Sequence, residues 1–464
     1  MTMDPHGKLG RAPAMLCISS RLALLSLGWR NGFAQRVACV RAPSSRQLSR
    51  KTIPMWLSRL LLLALVLDAS TLLAASLPPV EPMPTIDAGV LVPARMLNDP
   101  RYTVNDRVAV VGYMGQFTLR APGVVLKADG TEMLAIRAAE LSAIAQLNQL
   151  SQSGVFADAL AASAAKTGAA IGQAVLNPVQ TLEGIPAGVG RFFQSATTTI
   201  SRATESQRSS KSQGGSAMGD DVLGINKAKR RIAKQVGADP YTTNPILAKQ
   251  LDDLSRAAFA GGISLDVALA ASTAGVATAI SATATVSNLV WDRSPEDIRT
   301  IHEQKLTAMG VDAGTVRAFV TNRWLTPTLS VPLVENLGQL PAARGRVAVI
   351  ALASTVESES EARYMLNSIR MARRAGTEGD SVVGLELAGR ILTVRTRGGR
   401  VVVPAPVDYV VWTEQVRTFA EKRNAKGGNR DILVSGVASP RSREGLRATG
   451  WVVQEHSPDG ATPR

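Results

Sequence analysis

The stretch Val382-Val-Gly-Leu-Glu-Leu-Ala-Gly-Arg-Ile-Leu-Thr-Val-Arg-Thr-Arg-Gly-Gly-Arg-Val-Val-Val403 decides the fold class of the chain's C-terminal part. Its β-branched and aliphatic residues fall into three runs, Val382–Leu387, Ile391–Thr396 and Val401–Val403, and Gly398-Gly399 supplies the backbone freedom of a two-residue hairpin. Working outward, the pattern predicts a strand at Val347–Leu352 and a helix at Ser358–Arg374 on the N-terminal side. On the C-terminal side it predicts a strand at Val407–Trp412, a helix at Thr413–Arg423, a strand at Ile432–Val437, a helix at Pro440–Thr449 and a strand at Trp451–Gln454. Helices alternating with strands indicate a mixed-sheet α/β domain over 345–456, with 457–464 as a tail.

Further upstream the grammar is mainly helical. A Pro-rich lead-in over 76–100 precedes a small β element with runs at Val108–Val111, Gln116–Arg120 and Val124–Lys127, and Asp129-Gly130 reads as a hairpin-type turn. In Thr131–Leu150 the residues Leu134, Ala138, Leu141, Ile144 and Ala145 share one face, with Glu132, Arg137 and Glu140 elsewhere. An alanine-rich partner helix, Val155–Val175, stops at Asn177-Pro178, and 101–200 is taken as one unit. Residues 201–221, rich in Ser, Gln and Gly, read as a linker.

A helical bundle is expected over 222–344. Asn244-Pro245 opens a helix with the stripe Leu247, Leu251, Leu254 and Ala258; Ser294-Pro295 opens another, and Asp312 a third that buries Val316, Phe319 and Val320. The class is therefore α+β: a mainly helical N-terminal and central region with a small β element, followed by a mixed α/β domain.

Charge and cysteine point to location. The first 54 residues hold nine basic residues against Asp4 alone, so 8 of the 15 net positive charges lie there and +7 remains for the rest. Both cysteines, Cys17 and Cys39, fall in the same leader, so the chain after it has no thiol for a disulfide framework. From Met55 the order Met-Trp-Leu-Ser-Arg, the apolar run Leu60–Leu67 and the small residues through Ala75 read as a signal peptide over 55–75. The alternative is a membrane anchor through 57–77, which Asp68 disfavours. Residues 1–54 then form a basic leader that fits an organellar transit peptide or an upstream start codon chosen in error; the complete signal beginning at Met55 favours the latter, and the expected location is periplasmic or secreted.

The segment Asn177-Pro-Val-Gln-Thr-Leu-Glu-Gly-Ile-Pro-Ala-Gly-Val-Gly-Arg-Phe-Phe193 resembles a segment of uncharacterised exported bacterial proteins. That resemblance covers the middle of the chain and implies no function.

Three features are candidate sites. The first is the turn from Ser435 to Arg443, where Ser439 is a natural N-cap with Pro440 behind it; free helix N–H groups, with Arg441 and Arg443 nearby, suit an anion or carboxylate, although a plain helix cap is the commoner reading. In the second, Gly224–Val236, Lys227, Arg230, Arg231 and Lys234 share one helical face opposite Ile225, Ile232 and Val236. That face suits an anionic membrane surface, and equally a solvated helix docked on the core. The third is the charge-free stretch Val267–Trp291, long enough to cross a membrane but diluted by Ser and Thr, so that a buried bundle helix is the plainer reading.

Enzyme signatures are weak. HExxH, CxxC, GxSxG and GxxxxGK[ST] do not occur, and Gly188-Val-Gly190 is a lone Gly-x-Gly rather than a nucleotide fingerprint. His302 lies beside the Ile298/Ile301 face of its helix, where a boundary histidine is the simpler reading than a catalyst. The sequence thus leads to an exported envelope protein with a non-enzymatic binding or scaffold role, needing no cofactor or metal, whose partner is a protein or small anionic ligand. The modest +7 remainder does not point to nucleic acid as a partner. The alternatives are a membrane-associated protein working through 267–291 and 227–234, and a cryptic hydrolase.

Overall fold

The computed structural model describes residues 77–151, 188–194, 219–259, 289–340, 343–377, 379–422 and 429–459. The basic leader, the signal peptide, the Val155–Val175 helix, most of the 201–221 linker and Val267–Asn288 lie outside the described residues.

The first half of the fold is a six-stranded antiparallel sheet with a helix on it. Its strands are β1 (Thr85–Asp87), β2 (Asn98–Asp99), β3 (Tyr102–Val104), β4 (Arg107–Val111), β5 (Met114–Ala121) and β6 (Val124–Asp129), with the one-turn helix α1 (Ala94–Leu97) before β2. The long β5 is the hub: β4 pairs with its beginning, β3 with its end, and β6 along its other edge. Strand alternation puts Phe117 and Leu119 of β5 inside with Leu126 of β6, and helix α2 (Thr131–Ser151) covers them with Leu134 and Leu141. Asp129-Gly130 is the β6-to-α2 junction rather than the expected hairpin turn. The tight β4–β5 hairpin turns instead at Gly112-Tyr113, where both residues take positive φ (52° and 70°). On α2, Arg137 and Glu140 are buried, whereas Ala145, expected on the apolar face, is exposed.

Helices α3 (Gly190–Gln194), α4 (Gly219–Gln235), α5 (Pro245–Phe259), α6 (Pro295–Ala308), α7 (Ala313–Thr321), α8 (Pro327–Gly338), α9 (Arg346–Ala353) and α10 (Glu359–Arg374) follow. The expected starts hold: Asn244 caps α5 through Ile246 N (3.1 Å), Ser294 and Asp297 form a capping box on α6, and Asp312 caps α7. α5 buries Leu247, Leu251 and Leu254, with Ala257 rather than Ala258 completing the stripe. Helix α4 begins at Gly219, so the last three residues assigned to the linker are helical.

The remaining elements are strands β7 (Val382–Ala388), β8 (Ile391–Thr396), β9 (Val401–Ala405) and β10 (Tyr409–Val410), helix α11 (Glu414–Lys422), strands β11 (Arg430–Val434) and β12 (Val437–Ala438), helix α12 (Pro440–Ala448) and strand β13 (Val452–Gln454). The main sheet has the order β13-β11-β9-β8-β7, antiparallel from β7 to β9 and parallel from β9 to β13, so the mixed sheet is present. The turn at Gly398-Gly399 joins β8 to β9, with Gly399 at φ 83°.

Three strand expectations are corrected. Val347–Leu352 lies in helix α9, because only Arg344 bridges to β7 before Gly345, at φ 87°, turns the chain away. A Cβ on Gly345 would sit 1.8 Å from Leu385 O, so glycine is required at this turn. A short apolar run does not by itself separate a buried strand from a buried helix. Val407–Trp412 keeps only the two-residue β10, paired in parallel with β12, and the Ile432–Val437 strand is broken by Ser435-Gly436.

One buried cluster joins the two halves. It contains Val110 and Tyr113 from the first sheet, Phe192 and Phe193 from α3, Tyr364 from α10, and Trp412 and Trp451 from the C-terminal region. The tip of the β4–β5 hairpin is thus a plug: Tyr113 O accepts from Asp408 N and Tyr409 N, both at 3.1 Å, and its ring lies 4.2 Å from that of Phe193.

Candidate functional site

The turn leading into α12 is where the structure gathers carboxylates. Ser439 leaves β12 in extended backbone conformation and its hydroxyl accepts from Ser442 N at 3.0 Å, the cap expected from Ser-Pro. Ser439 Oγ also donates to Glu81 Oε1. That same oxygen accepts from Trp412 N at 2.9 Å. A second carboxylate, Glu455, accepts from Ala438 N at 2.6 Å and from Arg443 Nε at 2.9 Å. Of the expected residues, Ser439 and Arg443 each hold a carboxylate, Ser435 Oγ donates instead to Val407 O at 3.1 Å, and Arg441 is exposed.

Glu81 belongs to the segment Leu77–Pro84, which lies against Trp412 before the first strand. Glu81 N donates to Trp412 O at 3.0 Å and Trp412 Nε1 donates to Pro78 O at 2.9 Å, so the backbone edge and the indole of one fully buried tryptophan are both engaged. Periodicity reading missed Glu81 and Trp412, because nothing local links a proline-rich lead-in to a residue more than 300 positions away. The proline spacing itself was the available signal, since it favours an extended segment with free edges.

A buried ionic network ties α2, the loop before α5 and α10 together. Arg137 Nη1 pairs with Glu140 Oε2 at 2.8 Å, and Arg137 Nη2 donates to Thr243 Oγ1 at 2.6 Å. Asn244 Nδ2 donates to Glu140 at 2.8 Å, and Thr242 and Thr243 donate to Glu140 and Glu359. Arg363, with only 12% of its side chain exposed, lies between Glu132 (2.9 Å) and Glu359 (2.7 Å). Burial works to raise the Glu359 pKa, but Arg363 and Arg137 outweigh it and hold the carboxyl below its ordinary value.

A second buried acid, Asp408, accepts from Gly115 N (2.8 Å), Thr131 N (3.1 Å) and Thr131 Oγ1 (2.8 Å), fastening β5 and the start of α2 to the segment after β9. Burial pushes its pKa up to about 6 despite these donors.

The basic face of α4 is only partly presented. Lys227, Arg231 and Lys234 are exposed, and Lys234 pairs with Asp292 at 3.3 Å; Arg230 is buried against Tyr241. Arg230 is one turn before the buried Ala233, so it sits at the rim where a long stem packs inward. His302 is buried edge-on to Phe319, and burial together with Lys305 lowers its pKa to about 4, so it is neutral at pH 7.

Gly188-Val-Gly190 has a packing reason. Gly188 has φ 54°, a Cβ on it would lie 2.2 Å from Val111 O, and Val189 N donates to Gly112 O at 3.0 Å, so the glycines let this segment press against the hairpin plug. The following Arg191 donates to Thr355 O (2.9 Å) and pairs with Glu361, while Phe192 and Phe193 enter the core.

Among the described residues no helix is long and apolar enough to cross a membrane, and no group of His, Cys, Asp and Glu could hold a metal ion. Compared with known proteins, the chain matches no family model, and neither a curated protein nor a solved structure is similar enough to carry an argument.

Proposed function

We propose that the chain is an exported, non-enzymatic protein of the cell envelope with a binding or scaffold role, and that the turn Ser435–Arg443 is its ligand-recognising surface. The observation that carries the binding half is the pair of carboxylates received there: Glu81 by Ser439 and Trp412 N, Glu455 by Ala438 N and Arg443. Backbone N–H groups at a strand-to-helix turn, reinforced by an arginine, favour an anionic group. The export half rests on the sequence from Met55 to Ala75 and on the absence of cysteine after Cys39. The buried Glu140 and the partly buried Glu132 and Glu359 give the hydrolase alternative no support, because Arg137 and Arg363 neutralise them in place. Cell fractionation with N-terminal sequencing tests the proposal: a periplasmic or secreted chain beginning near Ser76 is expected, and a cytoplasmic chain beginning at Met1 would overturn it.

The second reading, attachment to a membrane surface, is favoured by the exposure of Lys227, Arg231 and Lys234 on one helix. It requires co-sedimentation with phosphatidylglycerol vesicles that weakens with salt and is lost when those three residues become Glu. Co-sedimentation that is insensitive to these changes would remove it.

A further inference from the structure

Leu77–Pro84 is held in the way a ligand is held. Four hydrogen bonds secure it to Trp412 and Ser439: Trp412 Nε1 to Pro78 O, Trp412 N to Glu81 Oε1, Glu81 N to Trp412 O, and Ser439 Oγ to Glu81 Oε1. Apart from Leu77, Pro78 and Pro84, its apolar side chains stay outside: Val80 is 42% exposed and Met83 37%, with Pro79 and Pro82 exposed as well. A segment belonging to the core would bury those groups, since each apolar side chain buried stabilises by about 1.5–3 kcal/mol. Here Leu77 and the buried Pro78 rest against the core, Glu81 supplies a carboxylate and a backbone N–H, and Pro84 O accepts from Val110 N at 2.9 Å, while Pro79, Val80, Pro82 and Met83 face water.

The receiving side is specific in its chemistry. It offers an indole N–H, a backbone N–H and C=O of the same residue, and a serine hydroxyl at the head of a nine-residue helix. An extended chain presents carbonyl and N–H groups at these spacings, and prolines hold it extended in advance, which lowers the entropy lost on docking. The carboxylate three residues after the first buried proline is read by two donors. When the segment leaves, the Trp412 indole N–H and peptide N–H lose their acceptors, and an occupant of the same chemistry restores both.

We propose that Trp412 and Ser439 form a recognition site for an extended, proline-flanked acidic peptide of a partner protein, filled in the free chain by its own Leu77–Pro84. The inference rests on the binding role proposed above and names the partner's chemistry. Tethering gives the internal segment an effective concentration in the millimolar range, so a partner peptide enters only when that segment is weakened or outcompeted by multivalent binding.

The test uses the full chain and a fluorescein-labelled peptide, Leu-Pro-Pro-Val-Glu-Pro-Met-Pro, followed by anisotropy. Glu81→Lys removes the internal carboxylate while leaving Trp412 and Ser439 in place, and should bind the peptide at least tenfold more tightly than the unsubstituted protein. Replacing the peptide's Glu by Gln, or adding Ser439→Ala to Glu81→Lys, should each weaken binding at least tenfold. Glu81→Gln serves as the milder opening if Glu81→Lys does not fold. The proposal is overturned if folded Glu81→Lys and Glu81→Gln bind no better than the unsubstituted chain, or if the Gln peptide binds equally well. Loss of the fold in both variants would make the segment part of the core, and dimers that exclude the peptide would assign the site to a second copy; either result also overturns it. N-terminal sequencing reads export independently of all these outcomes, so the two proposals fail separately.

Discussion

The Tyr113 hydroxyl lies 2.8 Å from the Thr413 hydroxyl, across 300 residues of chain. It joins the tip of the first sheet's hairpin to the start of α11, and the backbone carbonyl of the same tyrosine takes the two N–H groups of Asp408 and Tyr409. Tyr113→Phe removes only the hydroxyl contact and should cost about 1 kcal/mol, whereas Tyr113→Ala empties the aromatic contact with Phe193 and should cost about 3–5 kcal/mol. Urea denaturation followed by circular dichroism measures both, and equal costs would show that the ring contributes nothing.

Gly188 and Gly123 both take positive φ, yet their surroundings differ. A Cβ on Gly188 would meet Val111 O at 2.2 Å, and one on Gly123 would meet nothing within 4 Å. Gly123→Ala should therefore cost about 1 kcal/mol for the left-handed backbone alone. Gly188→Ala should cost several times more, because backbone rather than a flexible side chain must move. Thermal melts of the two variants compare them directly.

Arg363 neutralises two carboxylates at once. Arg363→Met should destabilise by about 3–5 kcal/mol by leaving Glu132 and Glu359 buried together, and adding Glu132→Gln and Glu359→Gln should recover much of that loss. A triple variant no more stable than the single one in denaturant titration would show that charge is not the cause.

Asp408 makes stability depend on pH with a definite sign. Its folded pKa of about 6 lies above the ordinary aspartate value of 3.8, so its contribution is complete below about pH 4 and is lost as pH rises through 6. A shift of this size corresponds to at most about 3 kcal/mol. The stability of the unsubstituted chain relative to Asp408→Asn should fall by up to that amount between pH 4 and 7. His302, lowered to about 4 and of opposite slope, cancels in the difference. Urea titrations across that range check it, and a flat difference would rule the ionisation out.

Much of the architecture is legible in local sequence because its causes are local. Ser294, Asp312 and Ser439 announce helix starts through side chains that reach N–H groups three residues on, and Gly398-Gly399 announces its hairpin through backbone freedom. Arg137, Glu140 and Arg230 were less readable: helical periodicity places them on a polar side, and only the loop at Thr242–Asn244 and Tyr241 turns those positions into an interior. Val347–Leu352 became a helix because Gly345, pressed on Leu385 O, ends its sheet pairing after one residue.

By itself the sequence determined the α+β class, most helix and strand limits, and the capping role of Ser439, since these follow from side chains acting on neighbouring backbone. Tertiary structure alone decided that Glu81 meets Trp412 and Ser439, and that Tyr113 plugs the C-terminal core. Those contacts depend on long-range burial and on free hydrogen-bonding edges finding acceptors hundreds of residues away, and no local period encodes such a meeting.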